Sequence, residues 1–164
     1  MSKNLYLSIF FGFFFNVILG QNPIEWITNT EKINDSTYNL TTTAKIENNW
    51  RLYSQYNEEG GAILTEFIFS DSLIIKNYSK VIEPEPITKF DPVFNLDQSY
   101  FVNQVTFNQR IVLSDNDVDF VNQTVYYQVC DDRVCIFQEQ ELMFNLSGIS
   151  NLNKTVFLRK KKLG

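Results

Sequence analysis

Apolar and polar residues alternate along much of this chain, and the alternation has the two-residue period of β-strands. In YNLTTTAKI, Tyr38, Leu40, Ala44 and Ile46 fall on one face, and Asn39, Thr41, Thr43 and Lys45 on the other. Residues 62–69 continue the pattern, with Phe67 and Phe69 on one side and Glu66 on the other. Residues 101–113 read as one long strand in which Phe101, Val105, Phe107, Ile111 and Leu113 share a face. Further on, Gln128 and Cys130 alternate with Tyr127 and Val129. Ile136, Leu142, Phe144 and Leu146 then alternate with Glu139 and Glu141.

Turn residues punctuate these runs: NNW at 48–50, EEGG at 58–61, EPEP at 83–86 and SDND at 114–117. No stretch after residue 20 holds a helical period, and no segment repeats. About seven or eight short strands separated by turns predict an all-β fold, an antiparallel sandwich. A chain of 164 residues supplies one hydrophobic core of that kind rather than two.

The two ends break the pattern. MSKNLYLSIFFGFFFNVILG has a lysine near its start, an apolar run from Leu5 to Phe15, and a small residue, Gly20, before a polar turn. These are the marks of a secretory signal peptide. The expected division is therefore a signal peptide at 1–20, a domain at 21–148 starting at Gln21, and a tail at 149–164 carrying RKKK. The expected location is outside the cytoplasm: the periplasm first, with secretion or the cell surface as alternatives. Membrane contact is expected only through the basic tail or an uncleaved signal peptide.

Charge and composition narrow the chemistry. The net charge of −5 gives no electrostatic support to a nucleic-acid partner. Histidine is absent, which removes the commonest general base and the commonest metal ligand. What remains is YYQVCDDRVCIFQ, which holds both cysteines of the chain. The four residues between them, Asp131 to Val134, have the length of a hairpin loop, so Cys130 and Cys135 would face each other across its first pair. A directly opposed pair sits close to disulfide geometry. Closing so small a loop restricts the unfolded chain little, by roughly 2 kcal/mol. Two thiolates without further Cys or His make a poor metal site, and no metal is expected. Asp131 and Asp132 would raise a thiol pKa and Arg133 would lower it. Spacing alone leaves a structural pair and a redox pair both open.

The surrounding text resembles one family. VYYQVCDDRVCIFQEQELMFNL is similar to the end of the N-terminal periplasmic domain of the DsbD thiol–disulfide reductase family. AKIENNWRLYSQYNEEGG and KVIEPEPITKFDPVFNLDQSYFVNQVTFNQRI resemble its early strand and central segment, in the same order. The resemblance spans about residues 22 to 147. It departs from the family pattern where Ile136 and Phe137 follow the second cysteine, a place where proline is common.

The resemblance implies an immunoglobulin-like sandwich and a Cys130/Cys135 pair that cycles between dithiol and disulfide. It makes Cys135 the sulfur that forms a mixed disulfide and Cys130 the one that resolves it. It also implies a cap loop at Phe90 to Leu96, with Phe94 as the covering aromatic and Asp91 beside it, and it puts Tyr53 close to the cysteines. No cofactor is implied, because the sulfurs carry the electrons. The implied partners are a thioredoxin-like or DsbD-type electron donor and a periplasmic disulfide-containing acceptor. The sequence contains neither a multi-helix membrane domain nor a CxxC motif, so the donor is expected to be a separate protein. The competing expectation is a non-enzymatic binding or surface module with a static disulfide.

Overall fold

A computed structural model describes residues 22–70, 73–92, 94–115 and 117–147. The expected signal peptide and the basic tail lie outside the described residues. Among the described residues no helix is long and apolar enough to cross a membrane.

Alternation in the sequence becomes strand where both ladders and a buried face are available. Ten strands form among the described residues: β1 (Ile24–Lys32), β2 (Thr37–Ile46), β3 (Arg51–Tyr53), β4 (Glu66–Phe69), β5 (Ile75–Tyr78), β6 (Ile87–Asp91), β7 (Leu96–Phe101), β8 (Gln104–Leu113), β9 (Phe120–Cys130) and β10 (Cys135–Asn145). One sheet runs β1-β2-β8-β5. The other runs β10-β9-β3-β7-β6, with β4 also paired to β9. All the pairings are antiparallel. The two sheets enclose one core, in the immunoglobulin-like β-sandwich that was expected.

The faces of β2 follow the pattern read from the sequence: Tyr38, Leu40, Ala44 and Ile46 are buried. They meet Phe107 and Ile111 of β8 and Val121, Val125, Tyr127 and Phe144 of the opposite sheet in one cluster. Trp26 closes part of it, edge-on to Tyr127 at 5.2 Å and to Phe67 at 6.3 Å. Each large side chain so buried contributes on the order of 1.5–3 kcal/mol.

Two strand expectations change. Residues 62–69 are strand only from Glu66, because the preceding residues leave the ladder to cover the outer face of the sheet. The single strand expected at 101–113 is broken at Val102 and Asn103, where Asn103 takes a left-handed φ of 62°, a conformation asparagine tolerates better than most residues. Its carbonyl accepts from the Ile46 amide at 2.7 Å. The chain changes sheets at this turn. Phe101 and Val105 therefore enter the same core from opposite sheets.

Candidate functional site

Side chains on a strand alternate between faces, so β9 has an inner and an outer set. Val121, Gln123, Val125, Tyr127 and Val129 point inwards. Gln128 and Cys130 belong to the outer set, yet both are buried. They are buried because the segment after β3 folds back over that face. Tyr53, Ala62 and Cys130 form a second, smaller cluster there, with Phe94 and Tyr100 packed against it.

Polar bonds hold this cover in place. The Ala62 amide donates to Gln98 Oε1 at 2.9 Å, and the Ile63 amide donates to Gln128 Oε1 at 2.7 Å. Thr65 donates its hydroxyl to the Tyr53 carbonyl. Gln98 is fully buried and packs so closely under Gly61 that a Cβ there would run into its amide.

The β9–β10 ladder runs from Cys130↔Cys135 to Phe120↔Asn145. A disulfide joins the two cysteines, whose Cα atoms lie 4.1 Å apart, the close approach of a non-hydrogen-bonded antiparallel pair. Their surroundings differ sharply. Cys130 is 2% exposed, whereas Cys135 is solvent-exposed. Gln128 Nε2 donates to Cys130 Sγ at 3.5 Å.

The hairpin tip is tied down by its own acids. The Asp131 carboxylate accepts from the Arg133 and Val134 amides, each at 2.7 Å. Those bonds, the Arg133 one first, hold its carboxyl below the usual range. Arg51, directly opposite Cys130 in the β3–β9 ladder, donates to the Asp131 carbonyl and to Asp132 Oδ1, each at 3.0 Å. Its guanidinium lies 5.8 Å from the centre of the Tyr100 ring.

Tyr53 sits at the centre of the outer cluster, edge-on to Phe94 at 5.9 Å and to Tyr100 at 6.4 Å. Its hydroxyl donates to Asp91 Oδ2 at 3.2 Å. Burial first, and then the Asp91 charge, push the phenol up to about 12, so it stays neutral at ordinary pH. Asp91 is itself buried. An open cleft of about 590 Å³ lies beside the exposed sulfur. Its walls include Arg51, Phe90, Asp91, Asp132, Val134 and Cys135. Among the described residues no group of three or more Cys, Asp or Glu is placed to hold a metal.

The family model "Thiol:disulfide interchange protein DsbD, N-terminal" matches residues 25–147. The chain belongs to the DsbD N-terminal family. No curated protein matches it in sequence. The N-terminal periplasmic domain of ScsB from Proteus mirabilis superposes with a TM-score of 0.57 at 16% identity, covering 84% of this chain and 51% of that one. The chain thus spans about half the length of that solved relative. The reduced DsbD N-terminal domain of Neisseria meningitidis superposes with a TM-score of 0.45 at 13% identity, covering 76% of this chain and 84% of that one.

Against the expectations for a DsbD N-terminal domain, the structure places Tyr53, Asp91 and Phe94 in one contact chain that ends at Cys130. Phe94 packs on the Tyr53 and Cys130 side and leaves Cys135 exposed. The aromatic residues lining the cleft beside Cys135 are Tyr100 and Phe90, the latter itself exposed. Sequence reading missed Arg51, Gln98 and Gln128. Two of these had a signal. Arg51 shares a strand face with Tyr53, and Gln128 shares one with Cys130. Gln98 had none, because its role depends on the distant backbone of Ala62.

Proposed function

We propose that this domain relays electrons between thiol proteins outside the cytoplasm through its Cys130/Cys135 pair. The observation that carries this reading is the asymmetry of the disulfide, with one sulfur exposed beside a cleft and the other buried. Exchange requires a thiolate to approach one sulfur in line while the other leaves. Only Cys135 is open to such an approach. Membership of the DsbD N-terminal family supports the same reading.

In the proposed sequence, a thiolate of a reduced donor attacks Cys135 Sγ. The Cys130–Cys135 bond breaks, its electron pair goes to Cys130 Sγ, and a mixed disulfide joins the donor to Cys135. The second donor thiol then attacks that mixed disulfide. The donor leaves oxidised, and the domain holds two thiols. Towards an acceptor disulfide the roles reverse: Cys135 attacks, and Cys130 closes the pair to release a reduced acceptor. Two electrons move in each half, and no cofactor takes part. The donor is a thioredoxin-like or DsbD-type protein, and the acceptor is a periplasmic protein with a disulfide. Phe94, Asp91 and Tyr53 act as the cover that keeps the buried sulfur from adventitious thiols.

Two measurements test this. Equilibrating the purified domain against glutathione and a thioredoxin should yield a dithiol fraction that follows the buffer potential. In cells, Cys130→Ser should accumulate mixed disulfides through Cys135, and Cys135→Ser should accumulate none. A pair that stays oxidised under every mild condition, with no trapped adduct, would instead be the static disulfide of a binding module.

A further inference from the structure

We infer that Arg51 and Gln128 stabilise the thiolate that forms at Cys130 when the disulfide opens, and so make Cys130 the leaving sulfur. Gln128 is in contact with the sulfur while the bond is intact, and Arg51 stands across the ladder from Cys130. The amide of Gln128 already reaches Cys130 Sγ, and its orientation is set by the Ile63 amide bonded to its other end. Arg51 is the cross-strand neighbour of Cys130 on the same face, and it leans along the chain to the Asp131 carbonyl. Facing side chains in such a pair have Cβ atoms only about 4.5–5.5 Å apart.

One detail of Arg51 has no structural explanation in the oxidised state. Its Nε is buried and has no hydrogen-bond partner. A buried donor without an acceptor costs free energy. A disulfide sulfur is a feeble acceptor and a thiolate a strong one. Opening the bond would therefore supply the missing acceptor. Donors aimed in advance at a developing charge stabilise it without rearrangement.

The charges around Cys130 agree with this role. The two neighbouring acids are already engaged: Asp131 by the loop amides and Asp132 by Arg51 itself. Arg133 adds a second cation at the tip. Tyr53 and Tyr100, from β3 and β7, bring phenol groups to the cluster, and burial keeps that of Tyr53 neutral. Asp91, from β6, is the opposing negative charge, and Tyr53 donates to it and stands between it and the sulfur cluster. Hydrogen bonds and a nearby cation favour the ionised thiol. When a thiolate attacks Cys135, the electron pair released onto Cys130 thus meets two donors, and no proton has to arrive first.

This inference rests on the exchange reading, but its test does not depend on any partner. Cys135→Ser leaves one thiol, and its ionisation can be followed by ultraviolet thiolate absorbance. Cys130 should ionise below the ordinary thiol value of about 8.5. Adding Arg51→Met should raise its midpoint by about one pH unit, a tenfold loss of thiolate at neutral pH. Arg51→Lys should recover part of that shift. Lys89→Met, which removes a cation from the same cleft, should move it far less. Equal shifts from Arg51→Met and Lys89→Met would overturn the assignment, as would a Cys130 midpoint above the ordinary value. Should Arg51→Met not fold, Gln128→Met removes the other donor and should raise the midpoint on its own; no shift there would count equally against the inference. If the midpoint moves as expected but no adduct is ever trapped in cells, the electron relay fails and the thiolate assignment stands.

Discussion

The two clusters of this domain share strands β3, β7 and β9 but are built on different terms. The inner one, between the sheets, is dominated by Phe107, Tyr127, Phe144, Leu40 and Ile111 and depends mainly on apolar contact. The outer one, around Tyr53 and Cys130, is small, and matched polar groups hold it: Gln98 to Ala62, Gln128 to Ile63, Tyr53 to Asp91. Contact is forgiving, because many atoms share the load. A polar bond is specific, because losing one partner strands the other. The domain thus keeps most of its apolar core on one face of a sheet and its buried cysteine on the other.

That separation can be broken from the inner side first. Phe107→Ala should cost about 3–5 kcal/mol in denaturant unfolding. At temperatures where the variant remains folded, the rate at which a small thiol opens the Cys130–Cys135 bond should stay within about twofold of the parent, since Phe107 touches only the inner cluster. A large rate change would show that the two faces are coupled.

From the outer side, Gln98→Ala should cost about 1–3 kcal/mol by leaving the Ala62 amide buried and unpaired. Here the rate should change as well. With its cover loosened, Cys130 in the reduced protein should alkylate faster, and Phe107→Ala should not reproduce that effect.

The smallest effect sharpens the comparison by pH. Tyr53→Phe removes the hydroxyl that donates to Asp91 and should cost about 1 kcal/mol at neutral pH. The phenol is held protonated up to about 12, against an ordinary value of about 10. Its contribution is therefore fully present below pH 10 and is lost as pH rises towards 12. The stability gap between parent and Tyr53→Phe should narrow across that window, as read by unfolding at successive alkaline pH values. A gap that widens there would contradict the placement of Tyr53 against Asp91.

The inner cluster was legible in the sequence, and the outer one largely was not. Alternation in β2 names the buried residues directly, because each apolar side chain faces a core that the same strand helps to build. Gln128 and Cys130 carry the opposite phase and read as a solvent face. Nothing local shows that residues 54–65 will return to cover them. The break at Asn103 was hidden for a related reason: Phe101 and Val105 keep the same phase while belonging to different sheets. The cysteine hairpin was readable because its geometry is set by only six residues. Phe94 was named as a cap by resemblance alone, and the structure adds Phe90 to the lining of the cleft that reaches Cys135.

The register of β9 and β10 has one more consequence. Cys130 and Cys135 are already partners in an eleven-pair ladder, with Arg51 tethering the tip independently of the sulfurs. Making or breaking their bond therefore asks almost nothing of the backbone. The domain should present nearly the same outline whether the pair is oxidised or reduced. An approaching thiol then cannot tell the two conditions apart by shape and must test the sulfur itself.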